Sequence, residues 1–203
     1  MVLSSGCREV KLEKRETILT EGSEASHIIY LREGLVKEYQ NQNNDQEHIL
    51  QILKGPTYLG LASLSGDTLN HISYSSLTEV KLCFIEKNIF KSLLLANPNF
   101  GFSILQNVCR DSLNHYHNFV NLNQKHIHGK LADALLYFAN QIFDNYEYVL
   151  PLNRFEISNL IGSSRESVSK QLRTYERDGI LKISGRNVNI LEPEKLERIS
   201  KFG

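Results

Sequence analysis

At Asn97-Pro98 the hydrophobic period of the chain changes from two to between three and four, so a β-rich part must be followed by a helical one. Before the break, short alternating runs recur every 8 to 12 residues: Thr17 to Thr20, His27 to Leu31, Gly34 to Tyr39, His48 to Leu53 and Val80 to Ile85. That rhythm is the one expected of an all-β sandwich or barrel. Between the runs lie Glu21-Gly22, Arg32-Glu33-Gly34, the polar stretch Asn41 to Gln46, Lys54-Gly55-Pro56 and Ser65-Gly66-Asp67. Their residue types accept turn geometry, and they read as loops.

After the break, Phe102, Leu105, Cys109, Leu113, Tyr116 and Val120 follow one another at gaps of three and four. The result is a narrow heptad-type seam on one long helix, which needs a partner helix. Packing on the β part is the alternative, but a helix this long outreaches a small barrel, so a homodimer is expected. Leu131 to Ala139 is apolar nearly all round and predicts a buried helix. The expected division is 1–97, 98–126 and 127–203.

The last quarter carries the functional signal. Asn153 can cap a helix whose buried stripe is Ile157, Leu160 and Ile161, and Gly162 stands where a sharp inter-helix turn needs positive φ. Ser163 or Ser164 can cap the next helix, with Ser163 and Glu166 at capping-box spacing. Val168, Leu172 and Tyr175 form its inward face. Arg165, Glu166, Ser169, Lys170 and Arg173 point outward near its start, and a hairpin from Ile180 to Leu191 follows. A helix-turn-helix with a wing results, and its polar face suits a DNA major groove. The alternative is a merely solvated helix. The capped helix before it, the glycine turn, the hairpin after it and the local charge all favour DNA.

Net charge is zero over 203 residues, yet residues 151–203 hold ten Lys+Arg against seven Asp+Glu, and residues 1–150 hold thirteen against sixteen. The basic end is the one with the helix-turn-helix. Hydrophobic residues at 41 % and charged residues at 23 % exclude global disorder. No apolar run approaches the roughly 20 residues that span a bilayer, so no membrane partner and a cytoplasmic location are expected. Cys7, Cys83 and Cys109 show no CxxC or Cys-His spacing, so neither a disulfide framework nor a metal site is indicated.

Gly162-Ser163-Ser164-Arg165-Glu166-Ser167-Val168-Ser169-Lys170 closely resembles the recognition-helix pattern of the CRP/FNR family of bacterial transcription regulators. Gly22, Gly34, Gly55 and Gly60 fall on the glycine turns of that family's β-roll, Asn97-Pro98 on the start of its dimer helix, and Gly129-Lys130-Leu131-Ala132 on the entry to its winged helix. The resemblance implies an α+β chain with a cyclic-nucleotide-binding-type β-roll, a long dimerisation helix and a C-terminal winged helix-turn-helix. It implies a sequence-specific regulator, not an enzyme, that binds a near-palindromic operator in double-stranded DNA and meets RNA polymerase if it activates. Arg165, Glu166, Ser169 and Lys170 would touch base edges, while Asn153, Arg154, Ser164, Ser167 and Arg173 would touch phosphates. Lys170 stands where the family usually has Arg, and an ammonium cannot make the planar bidentate contact to guanine.

The signal side departs further. Family members that bind cyclic nucleotides use Gly-Glu and Arg-Ser in the loop after the fourth glycine, but Thr57 to His71 contains no Arg or Lys. The corresponding pocket would be lined by Tyr58, Gly60, Leu61, Thr68, Leu69, His115 and Tyr116, which disfavours cyclic AMP. Three cysteines cannot supply four-cysteine iron-sulfur ligation. Haem is the weaker cofactor reading, because the pairs His115/His117 and His126/His128 have i, i+2 spacing that splays the rings on a helix. The competing class is a cupin-like metal enzyme, which needs a His-x-His and a carboxylate on neighbouring strands. No GxSxG, P-loop, HExxH or Rossmann fingerprint is present.

Overall fold

The computed structural model describes residues 7–42 and 46–203, so residues 43–45 of the expected loop Asn41 to Gln46 lie outside the described residues. The chain divides into two compact units, Met1–His115 and Tyr116–Gly203. Against boundaries expected at 97/98 and 126/127, the long helix contributes its first part to one unit and its last part to the other.

The first unit holds two four-stranded antiparallel sheets. β1 (Cys7–Leu12), β8 (Val80–Glu86), β3 (His27–Glu33) and β6 (Thr57–Leu59) lie side by side in one; β2 (Thr17–Leu19), β7 (Ser73–Ser76), β4 (Leu35–Gln42) and β5 (Gln46–Lys54) lie in the other. Period-two alternation puts Ile29, Leu31, Leu59, Val80 and Leu82 of the first sheet against Ile18, Val36 and Tyr74 of the second. The opposite faces of β3 and β8 are buried too. Ile28, Cys83 and Ile85 pack there with Phe90 of α1 (Lys87–Ala96) and Ile104 of α2 (Pro98–Gln124). β3 and β8, expected as alternating strands, are thus apolar on both faces.

Gly34 makes the step from β3 to β4 at φ +99°, and a Cβ there would lie 2.4 Å from the Glu79 carbonyl oxygen. Only glycine fits both constraints.

Three features of this unit were not anticipated. α1 begins directly where β8 ends, with no turn residue between Glu86 and Lys87 to announce it. β7 was not among the runs named as strands. Cys7 and Cys83 are joined as a disulfide between β1 and β8, with their Cα atoms 5.5 Å apart, which corrects the expectation that the cysteines stay unpaired. Strand pairing brings together residues that spacing alone cannot relate, because they lie 76 positions apart.

In the second unit α3 (Ile127–Tyr137) is buried along most of its length, as its all-round apolarity predicts, and a π-helical segment Phe138–Phe143 extends it. α3 packs on α5 (Arg165–Arg177) and on α6 (Pro193–Phe202), which the sequence reading did not foresee. Tyr175 donates its hydroxyl proton to the His128 carbonyl, and Tyr148 donates to the Leu135 carbonyl at 2.8 Å. Where α2 passes into α3, Lys125 and Asp133 form a half-buried ion pair at 2.6 Å, and the Ser200 hydroxyl of α6 donates to the same carboxylate. No helix of the described chain is long and apolar enough to cross a membrane.

Candidate nucleic-acid interface

α4 (Arg154–Ile161) starts in a capping box: the Asn153 carboxamide oxygen accepts from the amides of Phe155 and Glu156 at 2.9 and 3.0 Å, and the Glu156 carboxylate accepts from the Asn153 amide at 2.7 Å. It ends at Gly162, left-handed at φ 60° and ψ 51°, as the sharp turn requires. The N-cap of α5 is Ser164, whose hydroxyl accepts from the Ser167 amide at 3.1 Å. Of the two serine caps this selects the second, and the Ser163–Glu166 capping box does not form. The Glu166 carboxylate is thereby left on the outer surface.

Val168, Leu172 and Tyr175 are buried against the rest of the unit. Arg165, Glu166, Lys170 and Arg173 are exposed on the opposite side, and among the described residues none of the four is in an ion pair. A helix that carries charge only for solubility tends to lace such groups into i, i+4 pairs. Here Arg165 and Glu166 stand in the first turn, at the positive N-terminus where phosphate is favoured, with Lys170 and Arg173 one and two turns further along the same face, all without an ion-pair partner among the described residues.

Ser169 is half-buried, with its hydroxyl donating back to the Arg165 carbonyl at 2.9 Å, so only its acceptor lone pairs face outward. Ser167 is tied to the cap, since the Ser164 hydroxyl donates to its oxygen at 3.0 Å.

Arg154 is placed differently from the other cations. Its guanidinium is half-buried, Nη2 donates to the Gly185 carbonyl at 3.3 Å, and Nη1 is buried with no partner. Desolvation lowers its pKa, which a guanidinium tolerates without losing its proton. Gly185 is the turn between β10 (Leu181–Ser184) and β11 (Asn187–Ile190), so Arg154 braces the wing against the start of α4. β9 (Glu147–Val149), also unforeseen, adds a third strand beside β11. Lys182 and Arg186 flank this turn and extend the basic surface; a glycine turn between two basic residues was the signal that could have marked them.

The residues expected to line a signal pocket have the following surroundings in their own parts of the chain. Tyr58 sits in an aromatic cluster with Tyr30, Phe90 and Phe100, Leu61 packs beside it in the same core, and Gly60 takes φ +79°. Thr68, Leu69 and Tyr116 are exposed, while His115 is half-buried.

What the roll does gather is a polar row across its second sheet. Glu38 on β4 lies opposite Gln51 on β5 and Tyr74 on β7, accepting from the Gln51 amide at 2.6 Å and from the Tyr74 hydroxyl at 3.4 Å. Glu38 is 5 % exposed, and burial is the main reason its carboxyl is held above the ordinary range. His115 and Asp111 of α2 are near enough to act on its charge, and Asp111 is itself pushed up by burial. Sequence reading missed this row because a charged residue in an alternating strand is expected to face outward.

The sign of the consequence is fixed. A carboxyl whose pKa rises on folding stabilises the fold below its unfolded pKa and loses that contribution as pH rises through its folded value. We expect Glu38→Gln, which keeps an acceptor for Tyr74, to match the parent in thermal midpoint near pH 4 and to exceed it near pH 8. A residual slope from Asp111 should remain. Parallel midpoint curves for the two proteins would show that Glu38 is not the linked group.

His115 and His117 lie on α2, but His126 is the extended N-cap of α3 and its ring stacks on that of His128 at 5.9 Å, so the second pair is not splayed as expected; no group of three metal-ligating side chains occurs among the described residues. The cupin-like alternative therefore finds no support.

A two-sheet roll, a long helix and a winged helix-turn-helix with an unpaired cationic face together define a DNA-binding regulator with a separate signal-type unit. Residues 9–97 match the cyclic nucleotide-binding domain family and residues 129–199 the Crp-like helix-turn-helix domain family. The chain belongs to the CRP/FNR family of transcription regulators, which are not enzymes.

Among its relatives is a protein of Mycobacterium tuberculosis described as a CRP-like cAMP-activated global transcriptional regulator, 24 % identical over 200 residues, covering 97 % of this chain and 89 % of that one. The fumarate and nitrate reduction regulatory protein of Vibrio cholerae is 23 % identical over 199 residues, covering 95 % and 78 %. Among solved structures, FixK2 from Bradyrhizobium japonicum superimposes with a TM-score of 0.85 at 18 % identity, covering 95 % of this chain and 96 % of that one.

Proposed function

We propose that the protein is a cytoplasmic homodimer that lays α5 of each copy into successive major grooves of a near-palindromic operator. Arg165, Glu166, Ser169 and Lys170 meet base edges; Arg173, Ser164, Ser167 and the side-chain NH2 of Asn153 meet phosphate, and Arg154 adds a phosphate contact while bracing the wing. If the protein activates, RNA polymerase is the further partner. The copies join along Phe102, Leu105, Cys109, Leu113, Tyr116 and Val120, which form one exposed stripe of α2.

The observation that carries this reading is the unneutralised face of α5. Glu166 accepts well from a cytosine amine, and Arg165 suits guanine O6 and N7. The Mycobacterium tuberculosis relative is described as cAMP-activated. Thr57 to His71 of this chain has no Arg or Lys to hold a cyclic phosphate, so the signal here is a different one.

Gel shift against sheared genomic DNA at stepped salt tests the reading. Affinity should fall steeply with salt, with a slope of about 0.9 per phosphate neutralised, and cyclic AMP should leave both affinity and thermal midpoint unchanged. Salt-independent binding, or a micromolar affinity for cyclic AMP, would contradict it.

A further inference from the structure

The Cys7–Cys83 pair lies at a mechanically sensitive place. Cys83 is 4 % exposed and belongs to the apolar cluster of Ile28, Ile85, Phe90 and Ile104, against which Cys7 and Phe100 also pack. Phe100 and Ile104 are the residues that seat the beginning of α2 on the roll, and the exposed stripe of α2 starts between them at Phe102.

β1, which carries Cys7, is the edge strand of its sheet and buries no side chain completely. Its other ties among the described residues are the ladder to β8, the packing of Leu12 on the core between the sheets, and two exposed ion pairs, Arg32–Glu9 at 2.9 Å and Lys11–Glu79 at 2.7 Å. Exposed pairs of this kind contribute little. The disulfide adds a covalent tie between β1 and the cluster that holds α2. In a reducing compartment a disulfide is usually transient and serves catalysis or redox sensing, and no catalysis is at hand.

We propose that Cys7 and Cys83 form a reversible thiol–disulfide switch, oxidised by a low-molecular-weight disulfide, whose oxidised state seats the start of α2 and raises DNA affinity. The half-buried Cys7 thiolate attacks the small disulfide, expels one thiol and holds the other as a mixed disulfide; Cys83 then displaces that second thiol and closes the protein disulfide. Two electrons and two protons pass from the cysteines to the two released thiols. The affinity half of this inference rests on the DNA-binding reading above.

The full-length protein is equilibrated with oxidised glutathione or with a phosphine reductant. Three measurements follow: peptide mapping without reduction, hydrogen exchange of the amides from Phe100 to Cys109, and affinity for sheared genomic DNA at fixed salt. The oxidised protein should show the Cys7 and Cys83 peptides joined, at least fivefold slower exchange at Phe100–Cys109, and at least fivefold tighter DNA binding. Cys7→Ser, a change at a half-buried edge position, should make exchange and affinity indifferent to either reagent.

Absence of the Cys7–Cys83 linkage after oxidation, equal exchange in the two states, or equal DNA affinity overturns the switch. Loss of DNA binding in both states, with the exchange difference intact, overturns the DNA reading instead.

Discussion

Replacing Leu105 and Leu113 with glutamate is expected to leave the chain monomeric and to weaken operator binding at least a hundredfold. Both leucines are more than half exposed in the single chain, at 55 % and 57 %, and both lie on the heptad-type stripe of α2. Two copies bring four such side chains together, each stabilising the pair by about 1.5–3 kcal/mol when buried, and the replacement sets four carboxylates in the seam. Neither leucine belongs to a core cluster of the folded unit, so the monomer should keep its circular dichroism. Without the second copy, one recognition helix must hold a half-site alone. Sedimentation reads the result directly: a dimer that survives both changes would place the interface elsewhere.

The second large effect is at Gly34, where alanine should cost about 3 kcal/mol or more. Positive φ alone costs an L-residue about 1–2 kcal/mol, and the added Cβ meets the Glu79 carbonyl at 2.4 Å and the Val80 side chain at 2.7 Å, both fixed by β8 and its approach. Gly22 provides the comparison, since it has φ +79° with nothing within 4 Å of its added Cβ. Gly22→Ala should cost only the backbone part, about 1 kcal/mol. The thermal midpoint of Gly34→Ala should therefore fall about 10 °C, and equal midpoints for the two variants would remove the steric account.

How far the sequence was legible follows from the range of the interactions involved. Gly162, the inward face of Val168, Leu172 and Tyr175, and the outward face of Arg165, Glu166 and Lys170 are determined within one or two helical turns, and the structure keeps them all. The strands containing Ile29, Val36 and Leu82 were visible because alternation is local as well.

α1 was hidden because the chain passes from Glu86 to Lys87 without punctuation, and α6 because only Leu196 of its ten residues is buried. The choice of Ser164 over Ser163 depends on where the Gly162 turn ends, a matter of one residue. The Glu38 row and the Cys7–Cys83 link depend on which strands become neighbours, and no spacing along the chain carries that information. Arg154 was read as a plain phosphate contact because its bracing partner, the Gly185 carbonyl, lies 31 residues away on the wing.

Division of labour on α5 is the central claim, and selection of binding sites from random duplexes tests it most directly. Wild type, Glu166→Ala and Arg173→Ala are compared. Glu166→Ala should cost about 1–3 kcal/mol on the best operator and relax the preference at one position in each half-site. Arg173→Ala should weaken all sequences alike, lower the salt slope by about 0.9 per lost phosphate contact, and leave the selected motif intact. Half-sites should be centred about 10–10.5 base pairs apart, or a multiple of that. An altered motif with Arg173→Ala and an unchanged one with Glu166→Ala would contradict the assignment.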